Sequence, residues 1–279
     1  MPQNADPEKS LDIQEKHERL REALRRMSSV LVAYSGGVDS ALVLKAAFDV
    51  LGERAAAATS ISPTFPSSQL DEVKAVAERI GSKHLFVHSD ELQIPGYSSN
   101  DGQRCYLCKN DLYTKLTDLA RREGYLHVAD GTNQDDLCDY RPGLRSAREL
   151  GVRSPLVEAG MTKADVRSLS RVLGLSTWNK PASACLSSRF PYGMEITYER
   201  LKQIADAEEA LRELGFHQFR VRFHQDIARV ELASEEIALA LGEDLRQNIA
   251  QRLKACGFRF VALDLEGYRQ GRLNEERLP

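Results

Sequence analysis

Two groups of side chains in this 279-residue sequence have the types and spacing to do chemistry. The first is Ser35-Gly-Gly-Val-Asp-Ser40, which follows the apolar run Ser29 to Tyr34 and precedes a stretch of helical periodicity. Gly36 and Gly37 let the backbone approach a ligand closely, and amides at a helix start attract an anion. Ser35 and Ser40 add hydroxyls. Asp39 falls in the first helical turn, where the dipole favours a carboxylate. The loop lacks the Lys-Ser/Thr pair of a Walker A motif. The bland alternative is a glycine turn entering a helix, but six such residues directly after a strand favour a phosphate cradle.

The second group is cysteine. Cys105 and Cys108 form a C-x-x-C pair that puts two thiolates near one metal, and Cys185 would complete a three-ligand site. The same spacing occurs in zinc and redox sites, and a helical pair can merely pack. Cys138 and Cys256 are expected to be plain buried cysteines. Beside Cys185, Ser187, Ser188 and Arg189 offer hydroxyls and a guanidinium fork. Arg220 and Arg222 alternate along a strand pattern and so share a face, which suits a phosphate. Glu208 and Glu231 are candidate ligands for a divalent ion, or partners in salt bridges. Ser60 and Gly131 close strand patterns, and Arg141 sits in a turn where it could meet a phosphate.

The S-G-G-x-D-S loop resembles that of the PP-loop pyrophosphatase superfamily. That implies ATP cleavage between the α and β phosphates, giving pyrophosphate and an adenylated substrate. Three further stretches narrow the resemblance: Asp101 to Lys109; Asp130-Gly-Thr-Asn133 with Asp139 to Gly143; and Trp178 to Gly193. With Arg220 to Arg229 they resemble the LarE family, ATP-dependent sulfur transferases of nickel-pincer nucleotide assembly, over nearly the whole chain after residue 12. The resemblance implies a pyridinium mononucleotide substrate whose ring carboxylates are adenylated and converted to thiocarboxylates. The product would serve the cofactor of lactate racemase and related enzymes. ATP, with Mg²⁺, would meet Ser35, Gly36, Gly37, Asp39 and Ser40, then Ser60, Gly131 and Arg141. Ser188, Arg189, Arg220 and Arg222 would hold the substrate phosphate, and Asp39 and Cys185 would be catalytic. The family supplies sulfur in two ways. One uses a [4Fe-4S] cluster on three cysteines, here Cys105, Cys108 and Cys185. The other sacrifices a cysteine and leaves dehydroalanine, with its donor expected at the position occupied here by Ala184. That one-residue offset favours the cluster form. A homo-oligomer packed through the C-terminal part, with a hexamer as the candidate form, is also implied.

These groups need a frame. Strand patterns at Ser29–Tyr34, Ala55–Ser60, Lys83–His88 and Tyr125–Ala129 alternate with helical patterns at Asp39–Val50, Ser68–Ile80 and Cys105–Arg122. Alternation of this kind predicts an α/β fold with a parallel sheet covered on both faces. Ligands then gather at the carboxyl ends of the strands, where the polar motifs fall. Residues 1–28 are expected to be a helical leader and 29–190 a PP-loop ATP-binding domain. Residues 191–279 are expected to be a smaller α+β domain, with a helix over 197–214, a hairpin over 219–232, a helical stretch broken near Gly242 and a final strand.

Composition excludes other classes. The chain has 38 basic against 41 acidic residues, a net charge of −3, and residues 190–279 carry 13 basic against 16 acidic. A nucleic-acid track is therefore not expected, which argues against a tRNA thiolase. An amidating synthetase would have no use for three cysteines. A non-catalytic ATP-binding sensor is separated from an enzyme by pyrophosphate release. No apolar run approaches a membrane span, and the polar start lacks a secretory signal, so a cytoplasmic protein is expected.

Overall fold

A computed structural model describes residues 12–66, 69–138, 142–181 and 184–269. Helix α1 (Ile13–Met27) leads into strand β1 (Val30–Ala33), followed by α2 (Val38–Leu51), β2 (Ala55–Ile61), α3 (Leu70–Ile80) and β3 (Lys83–His88). Next come α4 (Arg104–Glu123), β4 (His127–Ala129) and three shorter helices, α5 (Gly143–Glu149), α6 (Pro155–Glu158) and α7 (Lys163–Val172). The C-terminal part comprises α8 (Tyr198–Glu213), β5 (Phe219–His224), β6 (Ile227–Leu232), α9 (Ser234–Ala240), α10 (Glu243–Ala255) and β7 (Phe260–Leu263).

Strands β1 to β4 form an all-parallel sheet in the order β3-β2-β1-β4. Side chains alternate across its two faces. Val30, Val32, Ala55 and Ala57 enter one core with Leu20, Leu24 and Met27 of α1 and the inner face of α2. Leu31, Ala56 and Ala58 enter the other, with Tyr113, Leu116 and Ala120 of α4. Both faces are covered at the centre of the sheet, and there β1 (Val30–Ala33) and the first part of β2 are continuous apolar runs, whereas the edge strand β3 carries Lys83, His84 and His88. The chain leaves β1 toward β2 and later returns through α4 to β4 on the opposite side of β1. The order therefore switches between β1 and β4, and in such sheets the crevice at the switch receives the ligand.

The second sheet has the order β5-β6-β7, an antiparallel hairpin with β7 parallel to β6. The hairpin turns at Gln225, whose φ is +55°. Its core draws in residues from outside the C-terminal part: Tyr97, Leu186 and Phe190 pack with Leu201, Val221, Phe223 and Val230. The loop before α4 and the turn after Cys185 are thus anchored on the C-terminal core. Among the described residues, no helix is long and apolar enough to cross a membrane.

Candidate functional site

At the switch point the backbone of the Ser35–Ser40 loop enters α2. Gly37 is the residue before its first turn and makes no side-chain cap, so the first amides of the helix face the crevice without an intrahelical partner. Ser35 and Ser40 hold the loop closed through an Oγ to Oγ hydrogen bond of 3.2 Å, and Ser40 Oγ donates to the Gly37 carbonyl at 3.2 Å. Gly36 has φ +74°, and a Cβ there would lie 2.4 Å from Val73 Cγ2. A Cβ on Gly131, just past β4, would lie 2.7 Å from Ser40 N and 3.0 Å from Asp39 Cβ. Gly131 thus makes room for the loop itself.

Asp39 is held from two sides. Asn133 Nδ2 donates to its Oδ1 at 3.0 Å, and Lys163 Nζ pairs with its Oδ2. Asp130 anchors the β4 loop, accepting from Tyr113 Oη at 3.0 Å, Thr132 Oγ1 at 2.8 Å and Ser154 Oγ at 2.8 Å. A second lysine, Lys180, pairs with Glu72 at 2.6 Å beside Gly36. Two cations and a helix N-terminus therefore surround the loop. The Ser60 hydroxyl, at the end of β2, and the Tyr34 hydroxyl, beyond β1, are buried without a partner among the described residues. Buried orphans of this kind fit a bound polar group. Burial, reinforced by the Glu72 charge, pushes the Tyr34 phenol above its ordinary pKa.

The three cysteines named from the sequence lie on two segments. Cys105 and Cys108 lie one turn apart at the start of α4. Cys185 immediately precedes a short 3-10 turn, Leu186–Arg189. That turn is fixed to the sheet edge, because Leu186 N donates to the Thr64 carbonyl at 3.1 Å, in the loop that follows β2. Cys185 is exposed, whereas Cys105 and Cys108 are half-buried. The thiols act on one another: burial, then the Cys185 charge, pushes the Cys108 thiol up to about 12. Among the described residues, no three His, Cys, Asp or Glu side chains converge to hold a single metal ion. Cys256 is half-buried, with Sγ donating to the Arg252 carbonyl at 3.3 Å. The side chain of Cys138 and all of Arg141 lie outside the described residues.

The arginine group gathers beside Cys185. Arg189 is buried, and its Nε and Nη2 each donate to Glu208 at 2.8 Å. Its Nη1 donates to the carbonyls of Ala184 at 2.8 Å and Cys185 at 3.0 Å. Arg222 pairs with Glu231 through Nε at 3.0 Å and Nη2 at 2.9 Å, and its Nη1 donates to the Ser188 carbonyl at 2.7 Å. Arg220 lies over the Tyr268 ring at 4.9 Å. Burial and the neighbouring Arg189 charge lower its pKa. The divalent-ion role expected for Glu208 and Glu231 is not what their surroundings provide: guanidinium forks occupy both carboxylates, which makes them counter-ions. Arg229 adds a further guanidinium, shared between Glu231 and Asp264.

Lys163, Lys180 and Arg104 are the site residues that the sequence reading did not single out. Lys163 had a signal, since Thr162 and Asp165 form a capping box that places it at the first position of α7.

No family model matches the chain. Curated relatives cover nearly all of it. An uncharacterised protein of Synechocystis sp. is 47% identical over 262 residues, 94% of this chain and 98% of its own. A Lactiplantibacillus plantarum protein named pyridinium-3,5-bisthiocarboxylic acid mononucleotide synthase is 43% identical over 254 residues, 91% of either chain. An uncharacterised protein of Methanocaldococcus jannaschii is 31% identical over 240 residues, 86% of this chain and 90% of its own.

Proposed function

The chain belongs to the pyridinium-3,5-bisthiocarboxylic acid mononucleotide synthase (LarE) family, and on that premise we propose how its residues carry out an ATP-dependent sulfur transfer. The reaction forms a pyridinium bisthiocarboxylic acid mononucleotide, so carboxylate oxygen must leave and sulfur must enter. A carboxylate oxygen is a poor leaving group. It attacks the α-phosphorus of ATP, the α–β bridge breaks, and pyrophosphate departs with the bonding pair. A sulfur anion then adds to the acyl carbon, and AMP leaves as the thiocarboxylate forms.

Residues at the switch point serve the first step. The α2 amides with Ser35, Gly36, Gly37 and Ser40 bind phosphate oxygens. Lys163 and Lys180 neutralise the charge that develops on the leaving pyrophosphate. Mg²⁺ would arrive with the triphosphate and offset its charge, and Asp39 is the carboxylate placed to hold it or to orient Lys163. The orphaned Ser60 and Tyr34 hydroxyls are the partners expected for a nucleotide. Ser188, Arg189, Arg220 and Arg222, gathered beside Cys185, are the hydroxyl and guanidinium groups that draw the substrate phosphate there.

What supports the sulfur step is that the turn after Cys185 is held both to Thr64 in the β2 loop and to Arg104, whose Nη2 faces Cys105 Sγ at 3.7 Å. Each cysteine of an iron–sulfur cluster binds its own iron, so three thiols that do not converge on one point suit a cluster better than one ion. When bound there, a [4Fe-4S] cluster would supply sulfur from its open iron. Exposed apolar side chains on the C-terminal part, among them Leu239, Leu241, Phe260 and Leu265, support a homo-oligomer packed through it.

The test is one anaerobic turnover with ATP and the pyridinium dicarboxylate mononucleotide, followed by mass spectrometry of protein and small molecules. Pyrophosphate, AMP and thiocarboxylate are expected, with Cys185 intact. Loss of one sulfur mass from Cys185 would instead establish the sacrificial route. Absence of AMP would overturn the adenylation reading.

A further inference from the structure

Three arginines are buried among the described residues, and two of them are paired with carboxylates. Arg189 and Arg222 are each buried and each engages a carboxylate through two donors. Arg104, the first residue of α4, is only 3% exposed. Among the described residues no carboxylate pairs with it. Its Nη1 donates to the Asn100 side-chain carbonyl and to the Ser187 carbonyl, the latter at 2.8 Å. Its Nη2 points at Cys105 Sγ, 3.7 Å away, and the Tyr192 ring lies 5.9 Å from the guanidinium carbon. Neutral oxygens satisfy donors but do not cancel charge. A guanidinium buried without a counter-ion costs several kcal/mol. Among the described residues, the sulfur it faces directly is Cys105 Sγ, and the carbonyl it holds, that of Ser187, belongs to the turn that follows Cys185.

We propose that Arg104 is the counter-cation of the sulfur site, a fixed positive charge that positions the Cys105 and Cys185 sulfurs and holds the sulfur anion to be delivered. The delivery clause rests on the sulfur-transfer reading above; the charge does not. The ligand class is a sulfur anion: thiolate, sulfide or a cluster sulfur. Geometry assigns two jobs to one side chain. Through Ser187, Arg104 holds the turn that follows Cys185. Through Nη2 it faces the thiol on its own helix. Lysine at this position would retain the charge and lose the fork, whereas glutamine would retain polar contacts and lose the charge.

The experiment uses the full-length, reduced, metal-free protein at one pH and needs neither ATP nor substrate. Alkylation of Cys185 and Cys105 is followed by peptide mass spectrometry with iodoacetate and with iodoacetamide. Both reagents meet the same thiolate, so the ratio of their rates reads the local charge and not the ionisation of the thiol. Arg104→Gln is expected to lower the iodoacetate-to-iodoacetamide ratio about tenfold, with Arg104→Lys close to wild type. An unchanged ratio in Arg104→Gln overturns the proposal. If Arg104→Gln does not fold, the wild type decides alone. A Cys105 ratio higher in the native protein than in the urea-unfolded chain supports the proposal, and an equal or lower one overturns it. If the ratio falls in the variant but wild type makes no thiocarboxylate, the sulfur-transfer reading fails and the counter-cation stands. If thiocarboxylate forms and the ratio does not move, the reverse holds.

Discussion

Asp39 was legible as a site residue because everything that marks it, a strand, two glycines and a helix start, lies within ten positions. Its partners were not. Asn133 lies 94 positions away and Lys163 lies 124 away, and only the fold brings them together. A lysine in a charged stretch looks the same whether it faces water or a phosphate. Lys163→Met should therefore cut pyrophosphate release by roughly 10²–10³-fold with little change in melting temperature, as removal of a preorganised charge does elsewhere. Equal activity in a steady-state pyrophosphate assay would remove Lys163 from the site. Gly131 supplies a second residue-scale test. It was read as space for the adenine, yet a Cβ there meets Ser40 N at 2.7 Å. Gly131→Ala must push the loop aside. Nucleotide affinity measured by calorimetry should fall at least tenfold, whereas a glycine that merely turns the chain would leave binding intact.

At the scale of elements, the alternation of strands and helices up to β4 was readable because each strand is a short apolar run stopped by a polar motif. The helices α5 and α6 were not readable, being seven and four residues long, too short to show a period. The α7 helix carried the missed signal, its capping box. Thr162→Ala should cost about 1 kcal/mol in urea unfolding, and it should lower pyrophosphate release as well, because the same turn presents Lys163. The pairing of β2 with β3 makes a different prediction. His84 Nε2 lies 2.8 Å from Thr59 Oγ1, which itself donates to the Tyr34 carbonyl. The neutral imidazole must therefore be the donor in the first of these bonds. Burial, then the Lys74 charge, lowers the His84 pKa from 6.5 to about 4. The unfolded chain takes up this proton first as pH falls. Stability is thus complete above pH 6.5 and declines toward about pH 4. Melting curves across that window should show the decline in wild type, and His84→Gln should flatten it.

For the molecule as a whole, the decisive fact is that the segments beside the cysteines pack on the C-terminal core. Leu186 and Phe190 flank the turn that follows Cys185, and that turn is pinned at one end to the β2 loop and at the other to Arg222. The composition of residues 190–279, slightly acidic overall, hid this concentration of guanidinium groups, because a sum of charges does not say where the fold places them. Arg189 is the joint: one edge of its fork holds Glu208 on α8 and the other holds the Cys185 carbonyl. Burial works against the Glu208 carboxylate, but the Arg189 charge and hydrogen bonds outweigh it and keep the pKa below the ordinary 4.5. The stability from this pair is therefore present above pH 4.5 and is lost as pH falls through the lowered value. Glu208→Gln keeps the shape and removes the charge, leaving Arg189 buried without its counter-ion. Breaking such a pair from one side costs about 3–5 kcal/mol, which corresponds to a fall in Tm of roughly 10 °C in a chain of this size. The same change loosens the grip on the Cys185 carbonyl, so sulfur transfer should suffer more than pyrophosphate release, which depends on the Ser35–Ser40 loop and Lys163. A variant that melts like wild type, or that loses both half-reactions equally, would show that the two parts of the site are not joined through Arg189.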